Sequence, residues 1–118
     1  MKNQFQNNPI QTEHKLPIFL NRVVGRYIKA FAPEGIILFG SYAKGTNHSG
    51  SDIDILVVAN PHGSVDLNLS RARQLASDCF PHVDVVFATP EEVASANSTN
   101  SPFLSSILEK GITLYSRT

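Results

Sequence analysis

The stretch FGSYAKGTNHSGSDIDILVV, residues 39–58, is the part of the chain that decides its fold. A short apolar run leads into Gly40 and Ser41, a loop rich in small and polar residues follows, and a second apolar run carries Asp52 and Asp54 at alternate positions. Because successive side chains of a strand point to opposite faces, these two carboxylates share one face. The short loop favours an antiparallel pair of strands, since a parallel return needs a longer crossover.

The two aspartates have the chemistry of a cation site. Carboxylates held side by side repel each other and need either a proton or a cation between them. A hard divalent ion such as Mg²⁺ or Mn²⁺ prefers oxygen ligands. Asp84, inside a later apolar run, adds a third carboxylate if its strand lies beside theirs. Three carboxylates suffice for one or two ions.

Gly40 and Ser41 have the chemistry of a phosphate site. A glycine lets the backbone approach a phosphate closely, and the serine adds a hydroxyl donor. Free amides at the start of a helical turn also favour an anion. Lys44 and Ser51 are further candidates in the same loop. A Gly-Ser turn alone is a weak signal, but one that leaves a buried strand and is followed by Asp-x-Asp at the next strand is far more specific.

Each of these residues also has a purely structural interpretation, which the sequence leaves open. Gly40 and Ser41 could form a simple turn, and Lys44 could be an exposed surface lysine. Asp84 could be a satisfied structural carboxylate. His48 lies in the same loop and is more simply read as solvent-exposed.

The rest of the chain predicts an α/β (α+β) fold, with a small mixed β-sheet flanked by helices. The patterns of apolar residues, caps, Gly and Pro place these elements. The predicted elements, in chain order, are a helix over residues 16–31, a strand over 36–39 buried on both faces, a strand over 52–58, a helix from Ser64 or Asp66 to residue 79, a strand over 83–88, a short helix capped by Thr89, a helix over 102–109 capped by Ser101, and an edge strand over 112–115.

Length and composition exclude several classes of protein. A chain of 118 residues has room for one core, so we expect a single domain over residues 13–118, preceded by an Asn- and Gln-rich tail over residues 1–12. A net charge of zero argues against a strongly basic nucleic-acid surface. A single cysteine, Cys79, cannot form an internal disulfide, which favours a reducing, cytoplasmic setting. No apolar run approaches the ~20 residues of a membrane helix.

The order Gly40-Ser41, ten residues, Asp52-x-Asp54 and then Asp84 on a later strand resembles the nucleotidyltransferase superfamily that includes DNA polymerase beta. The chain is most similar to the minimal nucleotidyltransferases (MNT) that act as antitoxins to HEPN-domain toxins. The resemblance is close over residues 35–88 and looser over residues 111–115. Further residues that agree with the pattern are Ala43, Gly45, Ser51 and residues 55–58.

The resemblance implies a fold like the palm of polymerase beta and nucleotidyl transfer from ATP with release of pyrophosphate. In the antitoxin branch, AMP is added to a tyrosine of the partner toxin, which makes the enzyme a protein adenylyltransferase in a type VII-like toxin-antitoxin pair. Gly40 and Ser41 would hold the triphosphate, with Lys44 and Ser51 nearby. Asp52, Asp54 and Asp84 would be the catalytic and metal-ligating residues, with one or two Mg²⁺ ions.

Two other functions stay open at this point. The chain could be a non-catalytic module that masks a toxin by docking. It could also be a small-molecule transferase of the aminoglycoside-modifying kind, whose acceptor wall comes from a homodimer or a partner subunit. For the adenylyltransferase, a partner chain encoded by the neighbouring gene is expected, because nothing near residues 39–58 recognises an acceptor.

Overall fold

The computed structural model describes residues 20–48, 50–60, 62–96 and 101–117. The predicted tail over residues 1–12 and the first turn of the predicted first helix lie outside these ranges. The elements of the described part, in chain order, are α1 (Leu20–Phe31), β1 (Gly35–Phe39), α2 (Ser41–Lys44), β2 (Ile53–Val58), α3 (Val65–Leu75), β3 (Val83–Ala88), α4 (Pro90–Ala94), α5 (Pro102–Lys110) and β4 (Ile112–Ser116).

The four strands form one mixed sheet in the order β3-β2-β1-β4. β1 pairs antiparallel with β2 and with β4, whereas β2 and β3 are parallel. This confirms the predicted fold class, the antiparallel pair on either side of the glycine-rich loop, and the edge position of the last strand. It also places the strand of Asp84 directly beside the strand of Asp54.

One face of the sheet, here called the α1 face, packs against α1 and α3. Alternate strand residues such as Ile53, Ile55 and Val57 are fully or almost fully buried there. Tyr27 of α1 is completely buried, and its hydroxyl donates a hydrogen bond of 3.0 Å to the carbonyl of Ala72 in α3. This face is therefore the main hydrophobic core, and it fixes the rotation of each strand about its axis.

The opposite face, here called the α5 face, is only partly covered. Leu56 and Val58 of β2 are buried on it against Leu104 and Ile107 of α5. The prediction that the first strand is buried on both faces is wrong for this side, because Ile37 and Phe39 stay half-buried where α5 covers β1 incompletely. The carboxylates discussed below lie on this α5 face.

The helix ends follow local chemistry at most positions. Ser64 accepts a hydrogen bond from the backbone N–H of Leu67, and Thr89 and Glu92 form a capping box. Ser101 takes the N-cap position of α5 but makes no side-chain capping hydrogen bond. The third helix ends at Leu75 rather than at the predicted residue 79. No helix of the described residues is long and apolar enough to cross a membrane.

Candidate active site

Phe39, Asp54 and Asp84 form one row across three neighbouring strands. Phe39 of β1 is the cross-strand partner of Asp54 in β2, and Asp54 is the partner of Asp84 in the parallel strand β3. Paired residues of adjacent strands project to the same face, so all three side chains lie on the α5 face. Asp54 is half-buried, whereas Asp84 is exposed.

Asp52 lies one residue before β2, two positions from Asp54. Its side chain is exposed. The next residue, Ile53, is held by a hydrogen bond of 2.8 Å from its backbone N–H to the carbonyl of His82, which extends the parallel pairing of β2 and β3 to the edge of the site. The predicted strand over residues 52–58 thus begins one residue later, at Ile53, and Asp52 lies just before it.

Burial and neighbouring negative charges both act on the carboxyl group of Asp54. Burial raises the pKa of its carboxyl group above the ordinary value, and the neighbouring charges of Asp84 and Asp52 raise it further. The three carboxylates are thus close enough to interact, and a cation would relieve their mutual repulsion.

Gly40 directly follows β1 and has a backbone conformation that favours glycine, with φ of 75° and ψ of −154°. A Cβ atom at this residue would overlap a carboxylate oxygen of Asp54 and would lie 3.1 Å from its Cγ atom. The bare backbone of Gly40 therefore leaves the space that the Asp54 carboxylate occupies. The expectation from sequence had assigned Gly40 to phosphate alone, and its contact with Asp54 was not foreseen.

Ser41 begins the short helix α2 directly after Gly40 and is half-buried. The helix is one turn long and is closed by a hydrogen bond of 3.1 Å from the N–H of Lys44 to the carbonyl of Gly40. The side chains of its two middle residues, Tyr42 and Ala43, are buried, which anchors the turn to the core. Lys44 is exposed at its end.

Ser51 belongs to a closed turn of the loop that follows. Its Oγ atom accepts a hydrogen bond of 2.9 Å from the N–H of His48, and its own N–H donates to the carbonyl of His48 at 2.9 Å. This pair of bonds holds the loop immediately before Asp52. The hydroxyl of Ser51 has a structural partner, and the assignment of Ser51 and Lys44 to nucleotide binding stays a prediction.

The donor chemistry fits a hard divalent cation, because Asp52, Asp54 and Asp84 offer only oxygen ligands. Across the described ranges, no group of three or more His, Cys, Asp or Glu side chains is arranged to hold a metal ion by itself. An ion would have to draw the exposed Asp52 and Asp84 side chains toward Asp54. The role of the three aspartates as ligands stays a prediction.

The family model of the nucleotidyltransferase domain matches residues 20–114. The search of curated proteins found no match. A crystal structure of a toxin-antitoxin with AMP-PNP is similar, with a TM-score of 0.58 and 29% identity, over 84% of this chain and 75% of that one. A nucleotidyltransferase candidate from Sulfolobus solfataricus matches with a TM-score of 0.48 and 23% identity, over 81% of this chain and 76% of that one.

Proposed function

The chain belongs to the nucleotidyltransferase domain family, and on that basis we propose that it transfers AMP from ATP to the hydroxyl group of a tyrosine in a partner HEPN-domain toxin. It would act in the cytoplasm as the antitoxin of the pair. The observation that carries the proposal is that Asp54 and Asp84 are paired on adjacent strands near Asp52, and that the Asp54 carboxylate packs against the backbone of Gly40. The similarity to a toxin-antitoxin solved with AMP-PNP supports both the nucleotide and the kind of partner.

Gly40 and Ser41 would bind the triphosphate. The turn at Gly40 has no side chain to hinder a phosphate, and Ser41 offers a hydroxyl donor at the start of α2. Lys44, exposed at the end of the same turn, would add a positive charge toward the terminal phosphates. Because α2 is anchored by the buried Tyr42, the backbone of the turn is held in place before the nucleotide binds.

Asp52, Asp54 and Asp84 would hold Mg²⁺. The ion would supply positive charge against the phosphates, which is the main requirement for displacement at phosphorus. In the reaction, the acceptor oxygen bonds to the α-phosphorus, the bond to the bridging oxygen breaks, and pyrophosphate leaves. Asp84, at the outer edge of the row, would be the carboxylate that takes the hydroxyl proton.

The acceptor would come from another chain. Among the described residues of the α5 face, none forms a wall opposite the carboxylates that could bind an acceptor. The residues of α5 that pack on this face cover Leu56 and Val58. A partner protein that presents a tyrosine at the row would complete the site. A homodimer is the alternative source of such a wall.

Transfer can be tested with ATP labelled at the α-phosphate, Mg²⁺ and the protein encoded by the neighbouring gene. We expect label on that protein, located on tyrosine by mass spectrometry, and its loss in Asp52→Ala or after removal of Mg²⁺. Asp66→Ala is the matched control, because Asp66 is an exposed aspartate in the first turn of α3. If the wild-type protein protects against its neighbour without labelling it, and Asp52→Ala protects equally, the chain is a binding module rather than an enzyme.

A further inference from the structure

Phe103 is an exposed aromatic residue in a helix that otherwise contributes to a core. Its side chain is 57% exposed, whereas the next residue, Leu104, is 9% exposed. A single exposed apolar side chain is ordinary on a protein surface. What distinguishes Phe103 is its position relative to the carboxylate row.

The ring of Phe103 packs edge-on against the ring of Phe39, with centroids 5.9 Å apart and planes at 87°. Phe39 is in turn the cross-strand partner of Asp54, whose Cβ is about 5 Å away in such a pair. The exposed ring of Phe103 is therefore two side chains from the carboxylate, roughly the reach of a nucleoside from its α-phosphate to its base.

The contact with Phe39 gives the Phe103 ring a fixed support. Edge-to-face pairs of aromatic rings are favourable beyond the apolar area that they bury. Phe103 lies in the first turn of α5, and the buried Leu104 and Ile107 hold that helix on the sheet. A ring supported in this way loses little conformational freedom when a flat ligand covers it.

The order of side chains across the sheet indicates which substrate reaches this ring. Phe103 lies at the β1 end of the row, and β1 runs directly into Gly40 and the phosphate-binding turn. Asp84 lies at the other end, two strands away. If the triphosphate binds at Gly40 as proposed, the donor nucleotide would lie on the β1 side and the acceptor would approach from the β3 side.

We propose that Phe103 is the stacking platform for the base of the bound nucleoside triphosphate. This inference rests on the proposed function, because it takes the triphosphate to lie at Gly40 and Asp54. Every base has a π-face, so stacking adds affinity without selecting one base. The protein should therefore bind ATP and GTP with similar affinity as far as this contact decides it.

The test compares two ligands, ATP and inorganic tripolyphosphate, in calorimetric titrations of the full chain with Mg²⁺. Tripolyphosphate carries the phosphates without a base. In Phe103→Leu, which keeps an apolar side chain at this position but removes the flat ring, we expect ATP to bind about 5- to 30-fold more weakly and tripolyphosphate to bind unchanged. Phe103→Trp should retain or strengthen ATP binding.

Phe80→Leu is the matched control, because Phe80 is 86% exposed and lies just before β3, beyond the acceptor end of the row. It should leave both affinities unchanged. The inference is wrong if Phe103→Leu weakens both ligands equally, since the residue would then position the phosphate turn. It is also wrong if ATP binding is unaffected while transfer to the protein acceptor slows, since the ring would then serve the acceptor.

These outcomes are separable from the fate of the proposed function. If the wild-type chain binds ATP more tightly than tripolyphosphate but labels no partner, the proposed transfer is refuted. The effect of Phe103→Leu on ATP binding then still tests whether the base stacks on Phe103. If the wild-type chain binds neither ligand, both proposals are refuted.

Discussion

The carboxylate of Asp54 occupies the space that a side chain at Gly40 would need. Gly40 directly follows β1 and has a positive φ, and Asp54 lies in the adjacent strand β2. Gly40 thus has two roles. Its lack of a side chain leaves space for the Asp54 carboxylate, and it is the first residue of the Gly-Ser turn.

Gly40→Ala should impair both folding and activity. The new Cβ would collide with Asp54, and alanine disfavours a φ of 75°. We expect a loss of about 1–3 kcal/mol in the free energy of unfolding and a fall in transfer rate of roughly 100-fold, because Asp54 must move. Urea denaturation and the labelling assay measure the two effects. Gly25→Ala is the control: nothing lies within 4 Å of its added Cβ, so it should be neutral or slightly stabilising. Equal behaviour of the two variants would refute the role of Gly40.

Asp54→Asn should stabilise the protein while it abolishes transfer. The pKa of Asp54 is raised, first by burial and then by Asp84 and Asp52. A carboxyl whose pKa is higher in the folded than in the unfolded state destabilises the fold when it ionises. This penalty is absent below the unfolded pKa of about 3.9, grows as the pH rises through the raised value, and is complete above it.

At pH 7 and without Mg²⁺, the melting temperature of Asp54→Asn should therefore exceed that of the wild type. The difference should shrink as the pH falls toward 3, and added Mg²⁺ should narrow it at pH 7. Thermal unfolding followed by circular dichroism gives these values. A lower melting temperature for the variant at pH 7 would show that Asp54 stabilises the fold instead.

Gly111→Ala should destabilise the protein through packing alone. Its φ of −74° suits any residue, but an added Cβ would lie 2.5 Å from the carbonyl oxygen of Ile107 and 2.5 Å from a methyl carbon of Ile37. Forcing apart such well-packed groups costs about 1–3 kcal/mol, measured by urea denaturation. In the control Gly50→Ala, the nearest atom to the Cβ is 3.6 Å away, and a similar loss there would contradict the explanation.

Arg26→Gln should weaken the protein most at neutral pH. Arg26 of α1 forms two hydrogen bonds with the carboxylate of Asp78, at 2.8 and 3.2 Å. The hydrogen bonds from Arg26, followed by its charge, hold the pKa of Asp78 at about 2. A lowered carboxyl pKa stabilises the fold above the unfolded pKa, and this contribution disappears as the pH falls toward 2.

The melting-temperature difference between wild type and Arg26→Gln should therefore diminish from pH 5 to pH 2. Arg22→Gln is the control, because Arg22 reaches Asp78 only at 4.0 Å and both side chains are largely exposed. A pH-independent difference for Arg26→Gln would mean that its hydrogen bond to the carbonyl of Leu75 dominates.

The antiparallel hairpin of β1 and β2 could be predicted because its signals are local. An apolar run, a glycine-rich loop and alternating aspartates lie within residues 39–58. The place of Asp84 could be stated only as a condition, since the neighbour of β3 depends on the crossover through α3. The register of Asp54 with Asp84 is thus a tertiary result.

Two details lay beyond the local signals. The helix α3 ends at Leu75 although apolar spacing continues to residue 79, and the freed carbonyl of Leu75 accepts a hydrogen bond of 2.7 Å from Arg26, which is 49 positions away. The sequence does not indicate that Phe103 lies near the carboxylates, because an isolated aromatic residue in a short helix is an ordinary core candidate. Its contact with Phe39 depends on how α5 lies on the sheet.

The parallel pairing of β2 and β3 makes the chemistry of the site depend on strand register. A slip of one residue would turn Asp84 to the opposite face and leave Val83 or Val85 beside Asp54. The register is set by the buried partners on the α1 face, among them Val83 and Ile53. Core mutations that do not contact the carboxylates can therefore abolish activity by shifting the strand register. A loss of activity thus does not prove that a functional group has been removed.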